Sequence, residues 1–168
     1  MKRTLLLPMV AALAAASTPA LADHQSGNLR DFTAADLCPP SVYVTVDDED
    51  DDDFAADLEK DLVGALTKAG IRTGNSKTCL ADLTVSIDAY TDDDEKLTYA
   101  TKINLDLDLA DPTTLTLGTR RLRVSYITLW DSTAYGTFND TDEFYDQLAD
   151  NLQEDLAGFI ADWKTAHR

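Results

Sequence analysis

The chain is poor in the residues that most enzymes use. Histidine occurs only as His24 and His167, one near each end of 168 residues. A Ser-His-Asp or Cys-His arrangement needs an imidazole held in a fixed place, and terminal histidines do not offer one. The only cysteines are Cys38 and Cys79, so the nitrogen and sulfur ligands of a tetrahedral zinc site are missing as well. Neither cysteine has a CxxC partner or a neighbouring histidine, which argues against a reactive thiol. Positive charge is scarce: 14 Lys and Arg stand against 31 Asp and Glu, a net charge of −17. Nucleic acid and anionic lipid would be repelled at long range by such a surface. Beyond residue 22 no apolar run reaches the roughly 20 residues of a membrane-spanning helix, so no transmembrane span is expected. Carboxylates are so common that a glycosidase pair among Asp88, Asp106, Asp108 and Asp131 has nothing to distinguish it. The expectation is a protein that is not an enzyme.

The first 22 residues do carry a signal. Lys2 and Arg3 lead into an apolar run from Leu5 to Ala16, and Ala20-Leu21-Ala22 provides the small residues of a cleavage site. Residues 1–22 are therefore expected to be a signal peptide and the protein to be periplasmic or secreted. Position 23 is Asp rather than Cys, so no lipid attachment is expected there. In an oxidising compartment an even pair of cysteines predicts a disulfide between Cys38 and Cys79. Each precedes a predicted strand, so the bond would set two strand starts side by side and parallel, with the intervening helix as crossover.

Residues 23–37 show no sustained period and are expected to form a loose arm ahead of a single domain over 38–168. Val42, Val44 and Val46 alternate with Tyr43 and Thr45 in a first strand. Seven consecutive acids, Asp47 to Asp53, precede Phe54, Leu58, Leu62, Leu66 and Ala69 at helical spacing, which makes Asp53 the expected N-cap and Gly70 the C′ residue. Leu83, Val85, Ile87 and Ala89 alternate in a second strand, and a turn over 91–96 leads into a third from Leu97 to Leu109. Asp111-Pro112 is expected to break that strand. A fourth, from about Arg121 to Trp130, turns Leu122, Val124, Tyr126, Thr128 and Trp130 one way, and 134–138 continues it as a short irregular strand. Asp140 is the expected N-cap of a closing helix whose stripe is Leu148, Leu152, Leu156, Phe159, Ile160 and Trp163. The fold class expected is α+β: one mixed, mostly antiparallel four-stranded sheet with two helices on one face, in the order β-α-β-β-β-α.

Two constellations could carry chemistry. Asp48, Asp50, Asp52 and Glu59 fall at positions 1, 3, 5 and 12 of a calcium-loop pattern, although Asp53 stands where the loop needs glycine. They could form a loose calcium cluster, the only cofactor in prospect, or simply a solvated helix start. Arg120, Arg121 and Arg123 form the one basic cluster, with Tyr126 and Trp130 close by in sequence, the composition of a partner-binding surface. The same arginines could instead pair with Asp106 and Asp108 on a neighbouring strand.

The element order, the ending Leu156-Ala157-Gly158-Phe159-Ile160-Ala161-Asp162-Trp163 and the segment Val63-Gly64-Ala65-Leu66-Thr67-Lys68-Ala69-Gly70-Ile71 resemble small envelope accessory proteins of Gram-negative bacteria. These include the lipopolysaccharide-assembly accessory lipoprotein, the outer-membrane activator of penicillin-binding proteins and the curli-secretion type of lipoprotein. The likeness spans about residues 41–165, lies in element order and apolar spacing, and carries over no functional residue. Export, the compact α+β pattern and the missing catalytic histidine lead to the expectation of a structural or protein-binding accessory whose partner is another envelope protein. An acidic calcium-binding protein is the alternative.

Overall fold

The computed structural model describes residues 22–92, 96–138 and 141–168. The expected signal peptide, apart from Ala22, lies outside them, as does the expected N-cap Asp140. Along the chain come α1 (Ala22–Asn28), a 3-10 turn (Ala34–Asp36), β1 (Ser41–Val46), β2 (Glu49–Asp50), α2 (Asp52–Lys68), β3 (Ala81–Thr91), β4 (Leu97–Leu117), β5 (Arg120–Phe138) and α3 (Thr141–Ala166).

The sheet has five strands in the order β2-β1-β3-β4-β5. This corrects the expected four strands, two helices and β-α-β-β-β-α order. The extra strand comes from the acidic run, which turns back on β1 before it enters α2, and the extra helix from the segment ahead of Cys38. β1 and β3 are parallel, with Val42 opposite Val85, and every other neighbouring pair is antiparallel.

The Cys38–Cys79 disulfide is present, with Cα atoms 5.0 Å apart, and holds the starts of β1 and β3 together as their spacing implied. Around it Cys38 N–H donates to the Ala81 carbonyl at 2.8 Å, and Leu80 N–H to the Asp36 carbonyl at 2.8 Å. Residues 23–37 are folded against the domain. Leu29 and Leu37 are fully buried, and α1 contacts α3 and β5.

One face of the sheet carries the core. Val42 and Val44 of β1, Leu83, Val85 and Ile87 of β3, and Leu97, Ile103 and Leu105 of β4 are buried beneath Leu58, Leu62 and Leu66 of α2 and Leu148, Leu152, Leu156 and Phe159 of α3. Strand alternation turns Tyr43, Asp82, Asp88, Tyr90 and Lys102 to the other face, where all are exposed. At the end of α2, Ile71 N–H donates to the Leu66 carbonyl and Gly70 N–H to that of Thr67, with Gly70 at φ 87°, the Schellman closure expected of a C′ glycine.

Candidate interaction surface

β4 and β5 outrun the rest of the sheet. β3 pairs with β4 only as far as Leu107, so beyond it the two long strands bond to each other alone. They close through Gly118-Thr119, a two-residue loop between paired Leu117 and Arg120, with Gly118 at φ 60° as the first position of a type II′ turn requires. The result is a two-stranded ribbon that projects from the domain. An isolated pair of strands is marginal in water, so a ribbon of this kind draws its support from its rooted end or from a partner.

Two irregularities set its faces, and both correct the sequence reading. The Asp111-Pro112 break is instead a bulge: residues 109–112 of β4 sit opposite Ser125 of β5, and pairing resumes at Thr113 with Val124. Proline is tolerated there because the ladder needs no N–H from a bulged residue. A second register shift lies between Leu105 and Asp106, with Leu129 as the extra residue opposite them. It breaks the single stripe expected from Leu122 to Trp130, turning Trp130 into the core while Thr128 stays outside and donates to Asp106 Oδ1 at 2.6 Å. Residues 134–138 continue β5, as expected, and are regular rather than irregular, paired residue for residue with β4.

Directly paired residues share a face. Thr113, Leu115 and Leu117 stand opposite Val124, Leu122 and Arg120 on one side of the ribbon, and Thr114 and Thr116 stand opposite Arg123 and Arg121 on the other. The first side is apolar and open: Leu117 is 60% exposed, Leu122 44% and Tyr126, farther back on the same alternation, 66%. The open face of the sheet continues it with Tyr43, Tyr90 and Tyr135, all exposed. Exposed leucines beside tyrosine and arginine have the composition of an interface core.

Of the residues picked as partner-binding, the ribbon therefore gathers Arg120, Arg121, Arg123 and Tyr126. It does not gather Trp130, which is buried on Phe159, the ring centroids 5.3 Å apart. The alternative pairing with Asp106 and Asp108 is not made, since Arg121 and Arg123 lie opposite threonines nearer the tip. Sequence alone does not pick out Leu115, Leu117 and Leu122 as surface residues of a ribbon, because Asp111-Pro112 has the local chemistry of a strand end. The signal was a Gly-Thr turn between two alternating runs, Thr113 to Leu117 and Arg120 to Val124.

The acidic run serves several structural purposes. Asp47 and Asp48 form the two-residue loop between β1 and β2, both at positive φ (51° and 66°), as in a type I′ hairpin. Asp47 accepts from Thr91 N–H at 2.7 Å and Thr91 Oγ1–H at 2.8 Å, and these bonds hold its carboxyl below the ordinary range. Asp51, not Asp53, is the N-cap of α2. Its Oδ1 accepts from Phe54 N–H at 3.1 Å, and its Oδ2 from Tyr145 O–H at 3.1 Å. Desolvation and that carboxylate push the Tyr145 phenol above its usual value.

Asp48 lies in the turn, Asp50 on β2, Asp52 in the first turn of α2 and Glu59 on its exposed side. Among the described residues no three His, Cys, Asp or Glu side chains are placed to hold a metal ion. An open concavity of about 650 Å³ is lined by Val46, Tyr145 and the acids from Asp47 to Asp53, Asp48 excepted. Compared with known proteins, the chain matches no family model, no curated protein and no solved structure.

Proposed function

We propose that this is an exported, non-enzymatic protein that acts as a protein-binding accessory of the cell envelope, with the β4–β5 ribbon as its contact element. The observation that carries the reading is the open row of Leu115, Leu117, Leu122 and Tyr126 on a two-stranded projection. Burying such a row against a partner gains roughly 25 cal/mol for each Å² of apolar surface removed from water, and the domain's own core does not use it. Arg121 and Arg123 on the reverse side add positive charge to a chain of net −17, which favours an acidic surface as neighbour. The Cys38–Cys79 disulfide supports an oxidising compartment.

The test is affinity capture from envelope extract with two tagged forms: the whole chain and a form in which residues 109–125 are replaced by Asn-Gly, closing the hairpin at Asp108 and Tyr126. Capture by the whole chain alone, with equal melting temperatures, supports the reading. Equal capture by both forms refutes the ribbon as the contact element. Mass spectrometry of protein recovered from the compartment, showing a start at Asp23 and no free thiol, tests the export.

A further inference from the structure

Along its open face the ribbon has a polarity. Asp108, paired with Tyr126, lies at the root, Val124, Leu122, Leu115 and Leu117 fill the middle and the distal part, and Arg120 stands at the tip. At roughly 3.3 Å per residue, Tyr126 and Arg120 are about 20 Å apart along β5. A stripe that is acidic at one end, apolar between and basic at the other is self-complementary when two copies lie antiparallel. A two-fold axis through the region of Leu122 and Val124 sets Arg120 of each copy near Asp108 of the other and leucines on leucines. The opposite, parallel arrangement sets like charges together.

We propose that the ribbon's apolar face is covered by a second copy of this chain, forming a two-fold dimer in which the ribbons pack antiparallel. This rests on the reading of the ribbon as the contact element and names its occupant. Three observations favour the second copy. The charge pattern matches itself in one orientation only. Asp108 and Arg120 are both exposed, and neither makes an ion pair within the chain among the described residues. The apolar row lies well away from the three helices, which cover the opposite face of the sheet at its rooted end. The net charge of −17 opposes association at long range, but at physiological salt the screening length is about 8 Å, shorter than the roughly 20 Å of overlapped ribbon between the two domains.

Sedimentation equilibrium on the whole exported chain, at physiological salt and up to about 100 µM, the range suited to a narrow interface, tests the proposal. A dimer is expected. Leu115→Asp with Leu122→Asp should weaken it at least tenfold while the domain stays folded by far-ultraviolet circular dichroism, since both side chains are exposed and outside the core. Should that variant fail to fold, a charge exchange decides: Arg120→Asp and Asp108→Arg should each weaken the dimer, and the two together in one chain should restore it. A monomer throughout, or a dimer indifferent to all of these changes, overturns the proposal. Ribbon-dependent capture of a different envelope protein by a monomeric chain, or ribbon-dependent binding of the monomer to phosphatidylglycerol vesicles, also overturns it; the former leaves the accessory reading standing. A monomer with no ribbon-dependent capture removes both.

Discussion

The indole N–H of Trp130 donates to Asp162 Oδ2 at 2.9 Å, joining the strand that carries the ribbon to the last helix of the chain. Trp130 also meets the edge of the Phe159 ring, and at the end of the same cluster His167, stacked on Trp163, reaches back to the carbonyls of Trp163 and Phe32. The ribbon's root is thus anchored by a polar contact inside an aromatic patch. The bulge at Leu129 makes the contact possible, because without it Trp130 would face outward with Thr128.

Asp162→Ala should therefore destabilise the protein by about 1–3 kcal/mol, the cost of a buried donor left without an acceptor. Asp162→Asn, which keeps an acceptor oxygen, should lose less. Urea unfolding of the three proteins, followed by tryptophan fluorescence, checks the order. Equal stability of Asp162→Ala and the parent would show that the indole finds another acceptor.

The acidic run gives a second contrast. Asp51 caps α2 and also receives Tyr145 from α3, so Asp51→Ala should cost about 1–2 kcal/mol. Asp53, two positions farther in and exposed, makes neither bond, and Asp53→Ala should change stability by less than about 0.5 kcal/mol. Thermal melts of both variants distinguish this assignment from the cap at Asp53 that spacing alone suggests.

What the sequence made legible was set by how locally each feature is encoded. Strands β1 and β3 announce themselves by alternation, because Val42, Val44, Leu83, Val85 and Ile87 share one buried face. Gly70 closes α2 through bonds that span only four and six residues, and the disulfide follows from an even pair of cysteines, each just ahead of a strand. The extra strand was hidden because seven acids carry no periodicity of their own. Positive φ at Asp47 and Asp48 arises only once Glu49 and Asp50 pair back with Val46 and Thr45. The ribbon was hidden by Asp111-Pro112, whose local preference for a break is absorbed by a bulge that depends on β5, a strand not yet made when the dipeptide is read. Trp130 was misplaced for the same reason, since one extra residue at Leu129 inverts every side chain beyond it.

Gly136 is required by its cross-strand neighbour. A Cβ at that position would lie 2.8 Å from Cε1 and 2.9 Å from the hydroxyl oxygen of Tyr99, the residue paired with it. Tyr99 is buried, stacked on Phe138 with ring centroids 5.0 Å apart, and its hydroxyl accepts from Asn151 Nδ2–H at 3.1 Å. The ring has no free direction in which to yield. Gly136→Ala should cost about 1–3 kcal/mol, the usual penalty of overpacking, and Tyr99→Leu in the same chain should recover part of it. Additive losses in the double variant would place the strain elsewhere.

The pH dependence of stability should carry the mark of Asp47. Backbone and side-chain bonds from Thr91 hold its carboxyl below the ordinary value of 3.8, so the unfolded chain takes up this proton first as the pH falls. The stabilisation is present in full above the ordinary carboxylate range and is lost as the pH drops through it toward the lower folded value. Asp36, held down by the N–H and hydroxyl of Thr33, adds a contribution of the same sign. Asp155 acts in the opposite sense: burial and the neighbouring Glu154 raise its carboxyl, so its ionised form opposes folding at neutral pH and protonation relieves it. Urea midpoints between pH 7 and about 2.5 should thus fall less steeply for Asp47→Asn than for the parent at the acid end. Asp155→Asn should raise the midpoint at pH 7 and lose that advantage on acidification. Parallel acid limbs for Asp47→Asn and the parent would mean that the Thr91 contact does not distinguish the two charge states of Asp47.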